Sequence, residues 1–397
     1  MHTAHHLPAP LRVPFRSHGT WALLGVAAIG ALAGIYRFGF GLQASTNLNH
    51  HYPWGLWIIA DVSLIALAAG GFVTAFLVHV IHREDYHFLS RPALLTALLG
   101  YTFAFFLLAA DLGRYWAVWH PLLPSMWQGN SALFEVGLCV MAYLMVLYTE
   151  FVPVVCERFA GDARRPRLAR LCRGLNRGLA RVMPFVLALG VAISCLHQSS
   201  LGHIFVLTPT KLHPLWWTPV LALLFLLSAI VTGLPTVIFA SLWAAKLARA
   251  KAPMAALARL AKFIPISLAI YLTAKVADLI IRGSYVYLLE ANLQTAAWLC
   301  EVGLGVVLPL ALLLSARLRE SPRGLATATG LVMLGIVLNR ANVYWIGFQP
   351  SGAPRMYLPS LAEWLFTIGI LAMIVLAWRF IAINFPILTP MPARRSK

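Results

Sequence analysis

The stretch Ser45–Phe72 reads STNLNHHYPWGLWIIADVSLIALAAGGF, and the rest of the chain is best interpreted from it. A polar loop rich in Asn and His ends at Pro53, and the apolar segment that follows contains one carboxylate, Asp61. An ionisable group is costly to bury in hydrocarbon, so an acid inside a membrane helix is a functional-site hypothesis. The stretch therefore predicts a membrane helix that carries a functional acid.

The composition indicates an integral membrane protein and excludes a soluble one. Of the 397 residues, 60% are hydrophobic and 11% are charged. Apolar runs of roughly 20 residues, the length that crosses a bilayer, recur about ten times. We predict an all-α membrane fold whose spans lie near residues 20–39, 54–82, 92–117, 130–156, 180–199, 215–245, 263–289, 294–316, 325–346 and 361–384.

The distribution of basic residues predicts the orientation of these spans. A net charge of +18 would suggest nucleic acid as the partner of a soluble protein. Here, however, the even connections and both tails hold 23 of the 31 Lys and Arg, and the odd connections hold Lys211 and Arg355. By the positive-inside rule both termini are cytoplasmic. The expected partner of the basic loops is anionic lipid of the bilayer, with no nucleic acid.

Charged residues inside the predicted spans are more numerous than a passive anchor needs. Seven of the 13 acidic residues lie there: Asp61, Asp111, Glu135, Glu150, Asp278, Glu301 and Glu363. Helical spacing places Asp111 with Arg114 on one face, and Lys275, Asp278 and Arg282 on another. Structural ion pairs explain such sets in one interpretation. In the other, the groups form a ladder of titratable side chains, as a proton path requires.

Metal sites within the chain are not expected. The five cysteines are scattered without C-x-x-C spacing, so neither an iron–sulfur cluster nor a zinc site is predicted. Haem would need two inward-facing histidines at matched depth. Only His79 lies well inside a predicted span, so we expect no haem.

Two stretches of small residues resemble each other, SLIALAAGG at 63–71 and LLSAIVTGLP at 226–235. They indicate either two related bundles or close helix packing.

Five motifs in order carry a family resemblance: NLNHHYPWGLW at 47–57 with LAAGGF at 67–72, DLGRYW at 111–116, NSALFEVGLCVMAY at 130–143, CLHQSSLG with KLHPLWWTP between 195 and 219, and NRANVYW at 339–345. Together they resemble the NrfD or polysulfide-reductase membrane subunits, and within these the ten-helix branch found in hydrogenase-2-type complexes. The resemblance covers the chain from Ile35 to about Trp378.

The resemblance implies a fold of two four-helix bundles with flanking helices. The corresponding division is a tail at 1–18, a first flanking helix at 19–40, a first bundle at 53–200, a second bundle at 201–346, a last flanking helix at 361–385 and a tail at 386–397. In the family the quinone pocket lies in the first bundle, near the periplasmic surface. We therefore expect a multi-pass protein of the bacterial inner membrane that binds menaquinone or ubiquinone.

The resemblance also implies partners, because this chain has no metal centre to supply electrons. They are a periplasmic ferredoxin-like iron–sulfur subunit and the large and small subunits of a [NiFe]-hydrogenase. Quinone reduction takes two electrons and two protons, so a His or carboxylate must act beside the ring.

The expected site residues fall into three groups. Those expected to act in quinone and proton chemistry are His50, His51, Asp61, Asp111, Arg114, Glu135 and His197. Those expected to line the quinone pocket are Asn47, Asn49, Trp54, Trp57, Tyr115, Trp116 and Gln198. Those expected on a path for protons across the membrane are Asp61, His79, Glu150, Lys275, Asp278 and Glu301.

Other functions remain open from sequence alone. An ion-coupled secondary transporter also has buried charges and internal repeats. A passive anchor for a periplasmic enzyme, a haem-bearing cytochrome b and the membrane subunit of a molybdopterin reductase are further alternatives.

Overall fold

The computed structural model describes Pro10 and residues 13–81, 83–247, 251–353 and 355–388; for His79, Val80 and Glu84 it describes the backbone alone. This part of the chain is helical and contains no strand beyond an isolated antiparallel bridge between Leu212 and Phe348. Ten of its helices are long and apolar enough to cross a membrane. The prediction of an all-α membrane fold with about ten spans is confirmed.

The ten helices are numbered in chain order. They are α1 (His18–Phe40), α2 (Leu56–Val78), α3 (Asp85–Asp111), α4 (Ala132–Phe159), α5 (Pro166–Val206), α6 (Leu221–Leu247), α7 (Met254–Ile281), α8 (Leu293–Leu314), α9 (Pro322–Ile346) and α10 (Leu361–Asn384).

Two helix ends differ from the predicted spans. The α3 helix ends at Asp111 rather than near residue 117, because Arg37 of α1 donates hydrogen bonds to the carbonyls of Ala110 (2.7 Å) and Leu112 (2.8 Å) and satisfies the helix end. The α5 helix begins at Pro166 rather than near residue 180, since an arginine-rich helical segment precedes its apolar part. It also continues to Val206, so the predicted bundle boundary at residue 200 falls inside it.

Helix contacts follow the chain order within two groups. Helices α2 to α5 pack in sequence, and helices α6 to α9 pack around α6 and α9. The first and last helices pair along their length, and α10 also packs on α2 and α3. Close approach is set by glycine, since a Cβ on Gly30 would lie 2.5 Å from the Cα of Gly369.

The α2 helix joins the two groups. It packs on α3 and α5 on one side and on α6 and α9 on the other. A Cβ on Gly70 would lie 2.7 Å from Val237, and one on Gly233 would lie 2.7 Å from Val73. The two similar small-residue stretches therefore meet at the α2–α6 interface, where close packing requires small side chains.

Three short π-helical segments interrupt the regular helices. They are Phe76–Val80 at the end of α2, Gly303–Val307 in α8 and Asn342–Ile346 in α9. Such segments occur frequently at functional sites. Those of α8 and α9 begin two residues after a buried polar residue, Glu301 and Arg340 respectively.

Candidate functional site

Asp61 lies in the most buried of the ten helices. Every residue of α2 from Leu56 to Ala66 is buried except Ala60, which is half-buried, because helices cover α2 on all sides. Asp61 is 4% exposed, and its Oδ1 has no hydrogen-bond partner within the described residues. By helix rise it lies about 8 Å inside the start of α2. A buried polar atom without a partner requires an explanation.

Helix α5 places two polar side chains against the same part of α2. The Nε2 of Gln198 donates to the carbonyl of Ile65 at 2.9 Å, one turn after Asp61. The Nδ1 of His197 lies 3.2 Å from the Tyr101 hydroxyl of α3. Both α5 side chains are fully buried, and His197 Nε2 and Gln198 Oε1 have no partner in the described part of the chain.

An aromatic cluster covers these groups from the side of the odd connections. Phe205 packs edge-to-face on Tyr344, with ring centroids 4.7 Å apart, and Trp54 lies 5.7 Å from Phe205 and 6.0 Å from Tyr344. Phe348 closes the cluster at 6.2 Å from Trp54. The cluster joins the start of α2, the end of α5 and the end of α9.

We call the group beneath this cluster the Asp61 site; it comprises Asp61, Tyr101, His197, Gln198 and Tyr344. Asp61 interacts electrostatically with both tyrosines, and the Tyr344 hydroxyl has no partner among the described residues. The site combines a carboxylate, an imidazole, an amide and two phenols under apolar aromatic rings. Such a set can bind a flat, carbonyl-bearing ring and move protons to it.

Polar groups continue from the Asp61 site through the first bundle. Tyr101 packs edge-to-face on Tyr143 of α4, with centroids 4.6 Å apart, and the fully buried Ser194 lies beside both phenols. Tyr143 in turn interacts with Glu150 on its own helix. Glu150 lies about 27 Å along α4 from its start, close to the side of the basic connections.

A second polar group, in the second bundle, is centred on Glu301. The Glu301 network comprises Trp216, Lys275, Glu301, Asn339 and Asn342. Oε1 of Glu301 forms an ion pair with Lys275 and accepts from Asn339 Nδ2 at 2.8 Å; Oε2 accepts from Trp216 Nε1 at 2.9 Å and Asn342 Nδ2 at 2.8 Å. Four donors therefore satisfy this buried carboxylate, in contrast to Asp61.

Arg340 extends the Glu301 network toward α6. Its guanidinium donates to Asn339 Oδ1 at 2.6 Å and to Ser228 Oγ at 3.0 Å, and lies 3.7 Å from the centroid of the Phe225 ring. Arg340 also interacts electrostatically with Tyr344 of the Asp61 site. Tyr344 therefore lies between the charged groups of the two bundles.

Two small cavities border the Glu301 network. One is lined by Lys275, Asp278 and Arg282 among others, and the second by Ser228, Thr232 and Glu301 among others. Each has a volume of about 20 Å³, enough for one water molecule. Tyr271 and Asn339 line both cavities.

The predicted proton ladder therefore divides between the two bundles. Asp61 and Glu150 belong to the first, and Lys275, Asp278 and Glu301 belong to the second. Asp278 pairs with Arg282 at 2.8 Å, while Lys275 of the same predicted stripe pairs with Glu301 instead. The side chain of His79 lies outside the described residues.

Asp111 and Arg114 do not form the ion pair that one interpretation of their spacing offered. Arg114 lies beyond the end of α3 in a turn and is exposed, without an ion pair in the described part. Asp111 is repelled by the carboxylate of Glu363 in α10 and attracted by Arg37 of α1, and its Oδ1 has no partner among the described side chains.

Other predicted site residues lie away from Asp61. Glu135, in the first turn of α4, accepts a hydrogen bond from Ser200 of α5. His50 is exposed and His51 half-buried, with ring centroids 4.0 Å apart and the ring planes tilted by 42°. Tyr115 is half-buried and donates to the carbonyl of Phe38 at 3.3 Å, and Trp116 is 63% exposed.

Three predicted pocket residues stabilise the entry to α2. Asn49 Oδ1 accepts from the amides of His51 and Tyr52. The backbone N–H of Asn47 donates to Glu363, and Trp57 Nε1 donates to the Glu363 carbonyl at 3.3 Å. The structure thus places these three in loop and helix packing and leaves Trp54 beside the Asp61 site.

Hydrogen bonds of Tyr357 and Glu363 fix the position of the first residues of α2. The Tyr357 hydroxyl donates to Glu363 and accepts from the backbone N–H of Leu56 at 3.1 Å. Glu363 is fully buried and forms a capping box with Ser360 at the start of α10. Burial and the bond to Glu363 raise the pKa of Tyr357.

Several residues of both sites were missed by sequence reasoning. Tyr101, Tyr143 and Ser194 are isolated hydroxyl-bearing residues in apolar helices, and that isolation was the available signal. Arg340, Asn339 and Asn342 belong to the motif NRANVYW, which carried part of the resemblance but was not assigned to a site. Trp216 belongs to the motif KLHPLWWTP and was likewise not assigned to a site, although its indole N–H donates to Glu301.

The two buried histidines of the described residues lie in different parts of the structure. His197 and His213 are the buried histidines of the described residues. His197 faces Tyr101 in the first bundle, while His213 accepts from the Leu215 amide at 3.2 Å and packs near Tyr287 in the second. Bis-histidine ligation requires two facing imidazoles, an arrangement that these two residues do not make.

Comparison with known proteins gives consistent matches along the chain. Residues 44–349, which include α2 to α9, match the family described as polysulphide reductase, NrfD. A protein of Nitratidesulfovibrio vulgaris is 35% identical over 381 residues, covering 92% of this chain and 93% of that protein. The probable Ni/Fe-hydrogenase 2 b-type cytochrome subunit of Escherichia coli K12 is 31% identical over 390 residues, covering 97% and 96%. The integral membrane subunit of menaquinone reductase of N. vulgaris is 26% identical over 389 residues, covering 88% and 90%.

Proposed function

Because the chain belongs to the polysulphide reductase, NrfD family of integral membrane proteins, we propose that it is the quinone-reactive subunit of a respiratory oxidoreductase. It exchanges electrons between an iron–sulfur partner subunit and the membrane quinone pool, and it is not catalytically complete alone. The relative named menaquinone reductase supports a quinone as the substrate.

The observation that carries this proposal is the set of unpartnered polar atoms in the Asp61 site. Asp61 Oδ1, His197 Nε2 and Gln198 Oε1 are buried without partners in the described residues, beneath an aromatic cluster. A quinone ring needs aromatic walls and polar groups at its two carbonyls. Reduction adds two electrons to the quinone and one proton to each of its two carbonyl oxygens. Asp61 and His197 supply those protons, or accept them when the quinol is oxidised.

The electron source that we propose is a partner subunit, as the relatives named as subunits of redox enzymes support. Electrons reach the quinone from an iron–sulfur subunit of the ferredoxin type, docked on the face of the odd connections. The scarcity of Lys and Arg in these connections supports a periplasmic position for that face in the bacterial inner membrane. The tails at 1–18 and 386–397, which lie largely outside the described residues, would then be cytoplasmic.

We propose a [NiFe]-hydrogenase as the catalytic partner, on the strength of the E. coli relative. Purification of the native complex decides this point. Hydrogen-dependent reduction of menaquinone by that complex is the expected result. A molybdopterin enzyme copurifying in place of the hydrogenase subunits would contradict the hydrogenase assignment while retaining quinone chemistry.

The quinone site is tested by His197→Gln in the assembled complex. Proton transfer by a positioned side chain contributes roughly a hundredfold or more to a rate, so quinone-linked turnover is expected to fall by that factor. Electron transfer to an artificial dye through the partner subunits should persist. The matched control is His203→Gln, because His203 lies on the same helix and is exposed. Unchanged quinone turnover in His197→Gln would exclude this site.

Proton movement across the membrane is the second part of the proposal. We propose that Tyr344 links the Asp61 site to the Glu301 network, because it interacts electrostatically with both Asp61 and Arg340. Tyr344→Phe keeps the aromatic packing and removes a hydroxyl that has no partner among the described groups. Fewer protons per electron at retained quinone turnover is the expected result in proteoliposomes. An unchanged ratio would exclude Tyr344 as the link.

A further inference from the structure

The first part of α5 is a helix that continues past the apolar span. Residues 166–182 read PRLARLCRGLNRGLARV, and the apolar run of the span begins at Met183. Seventeen residues of helix extend for about 25 Å. Neither the quinone chemistry nor proton movement uses this segment.

Five arginines form a stripe along the segment. Arg167, Arg170, Arg173, Arg177 and Arg181 recur every three or four residues, which places them within an arc of about 120°. All five are exposed, and none forms an ion pair within the described chain. Arg173 donates one hydrogen bond to the Ala160 carbonyl at 2.7 Å. This stripe therefore has nearly its full donor capacity and charge available to an outside ligand.

The remaining two sides of the segment show how it is oriented. Ala169 and Cys172 are buried on the side that faces α4. On the other flank of the arginine stripe, Leu171 and Leu175 are 59% and 44% exposed. Helical spacing places Leu171 in line with Leu189, which is 52% exposed in the apolar part of the same helix.

We propose that the arginine stripe binds the phosphate groups of anionic phospholipids. The exposed leucines continue the lipid-facing side of α5 beyond the apolar span, so the adjacent arginine stripe enters the headgroup region on the same side of the helix. Guanidinium groups bind phosphate through two parallel hydrogen bonds, and arginines near an anionic surface add to membrane affinity. An acidic protein surface would match the charge but not the exposed leucines beside it.

The test uses the full purified chain in nanodiscs of phosphatidylcholine with or without phosphatidylglycerol. The variant is Arg170→Gln/Arg177→Gln/Arg181→Gln, which spares Arg173 and its hydrogen bond. Each arginine near an anionic surface contributes about fivefold in affinity, so three give roughly a hundredfold. Retention of phosphatidylglycerol, measured by native mass spectrometry after extraction, is expected to fall by that factor.

Two further variants make the result specific. Arg259→Gln/Arg317→Gln/Arg323→Gln loses the same charge from exposed sites elsewhere and should retain the lipid. Arg170→Lys/Arg177→Lys/Arg181→Lys keeps the charge and should retain most of the binding, even if the glutamine variant folds poorly. Inorganic phosphate added in place of anionic lipid should not raise the melting temperature.

Three outcomes would overturn the proposal. In the first, wild-type chain retains phosphatidylcholine and phosphatidylglycerol equally. In the second, the glutamine variant, folded as judged in neutral lipid, retains phosphatidylglycerol as well as its control. In the third, the assembled complex holds no anionic lipid at the stripe and a partner subunit protects the arginines from chemical modification.

Discussion

Replacing Asp61 with Asn separates a catalytic role from a structural one. Asn has nearly the shape of Asp but does not carry a proton to a substrate at neutral pH. Asp61 is 4% exposed, and its Oδ1 bonds no described group. The substitution therefore breaks no hydrogen bond of that atom and removes the cost of a buried charge.

The expected effects on stability and activity have different sizes. Stability should change by no more than about 1 kcal/mol, or increase, because no satisfied pair is broken. Turnover with quinone should fall by about 10²–10⁴, the usual contribution of a positioned acid or base. That factor corresponds to about 3–5 kcal/mol in the activation barrier.

The assay compares two activities of the same purified complex. Reduction of a soluble quinone analogue depends on the Asp61 site, whereas dye reduction by the catalytic partner does not. The control Glu320→Gln removes an exposed carboxylate and should leave both activities and the melting temperature unchanged. Asp61→Asn turnover within about threefold of wild type would refute the catalytic role, given the size expected for proton transfer. A large loss of stability would show that Asp61 has a structural partner and would contradict the expected separation of the two effects.

Three other perturbations test the rest of the fold. Lys275→Met leaves Glu301 buried without its cation and should lower the free energy of unfolding by about 3–5 kcal/mol. The double variant Lys275→Met/Glu301→Gln should recover part of this loss. A Lys275→Met melting curve equal to that of the wild type would argue against a buried pair. Gly335→Ala places a Cβ 2.3 Å from the Cα of Gly305 and should lower the free energy of unfolding by about 1–3 kcal/mol. Its control, Gly330→Ala on the same helix, meets no atom closer than 3.6 Å and should leave the melting temperature unchanged or raise it. Burial lowers the pKa of His213, against the opposing effect of Glu290, so the unfolded chain takes up a proton near pH 6.5 before the folded protein does. Stability present above about pH 6.5 is then lost as the pH falls, and His213→Gln should flatten this decline in melting temperature; identical pH profiles would contradict it.

The span count and the position of Asp61 follow from sequence because both depend on local patterns. Apolar runs of membrane length are visible in composition, and a lone acid in such a run is conspicuous. His197 and Gln198 were identified for the same reason, as polar residues near the end of an apolar helix. The structure brings these three residues into one buried region.

The pairing of charges depends on information that a local pattern lacks. The spacing of Lys275 and Asp278 allows an ion pair between them, but the rotation of α7 turns Lys275 toward Glu301 of α8. Arg114 was placed on a helix that ends three residues earlier, at Asp111, where a side chain from α1 satisfies its carbonyls. Both errors concern contacts between helices.

The length of α5 was missed for a different reason. Hydropathy detects only the apolar part of a helix, and the arginine-rich part before Met183 reads as a basic loop. Its periodicity of three and four residues was the signal for a continued amphipathic helix. In place of the long basic connection that the predicted spans leave between α4 and α5, the structure has a short turn between two long helices, Ala132–Phe159 and Pro166–Val206.

The position of α2 between the two groups of helices has a consequence for how the chain folds. A helix covered on every side cannot complete its packing until α6 and α9 are in place, although it is synthesised before them. The first group of helices is thus not an autonomous folding unit, and the two halves should unfold in one cooperative transition. A chain cut in the connection between α5 and α6 would need both fragments in the same membrane before either became resistant to proteolysis.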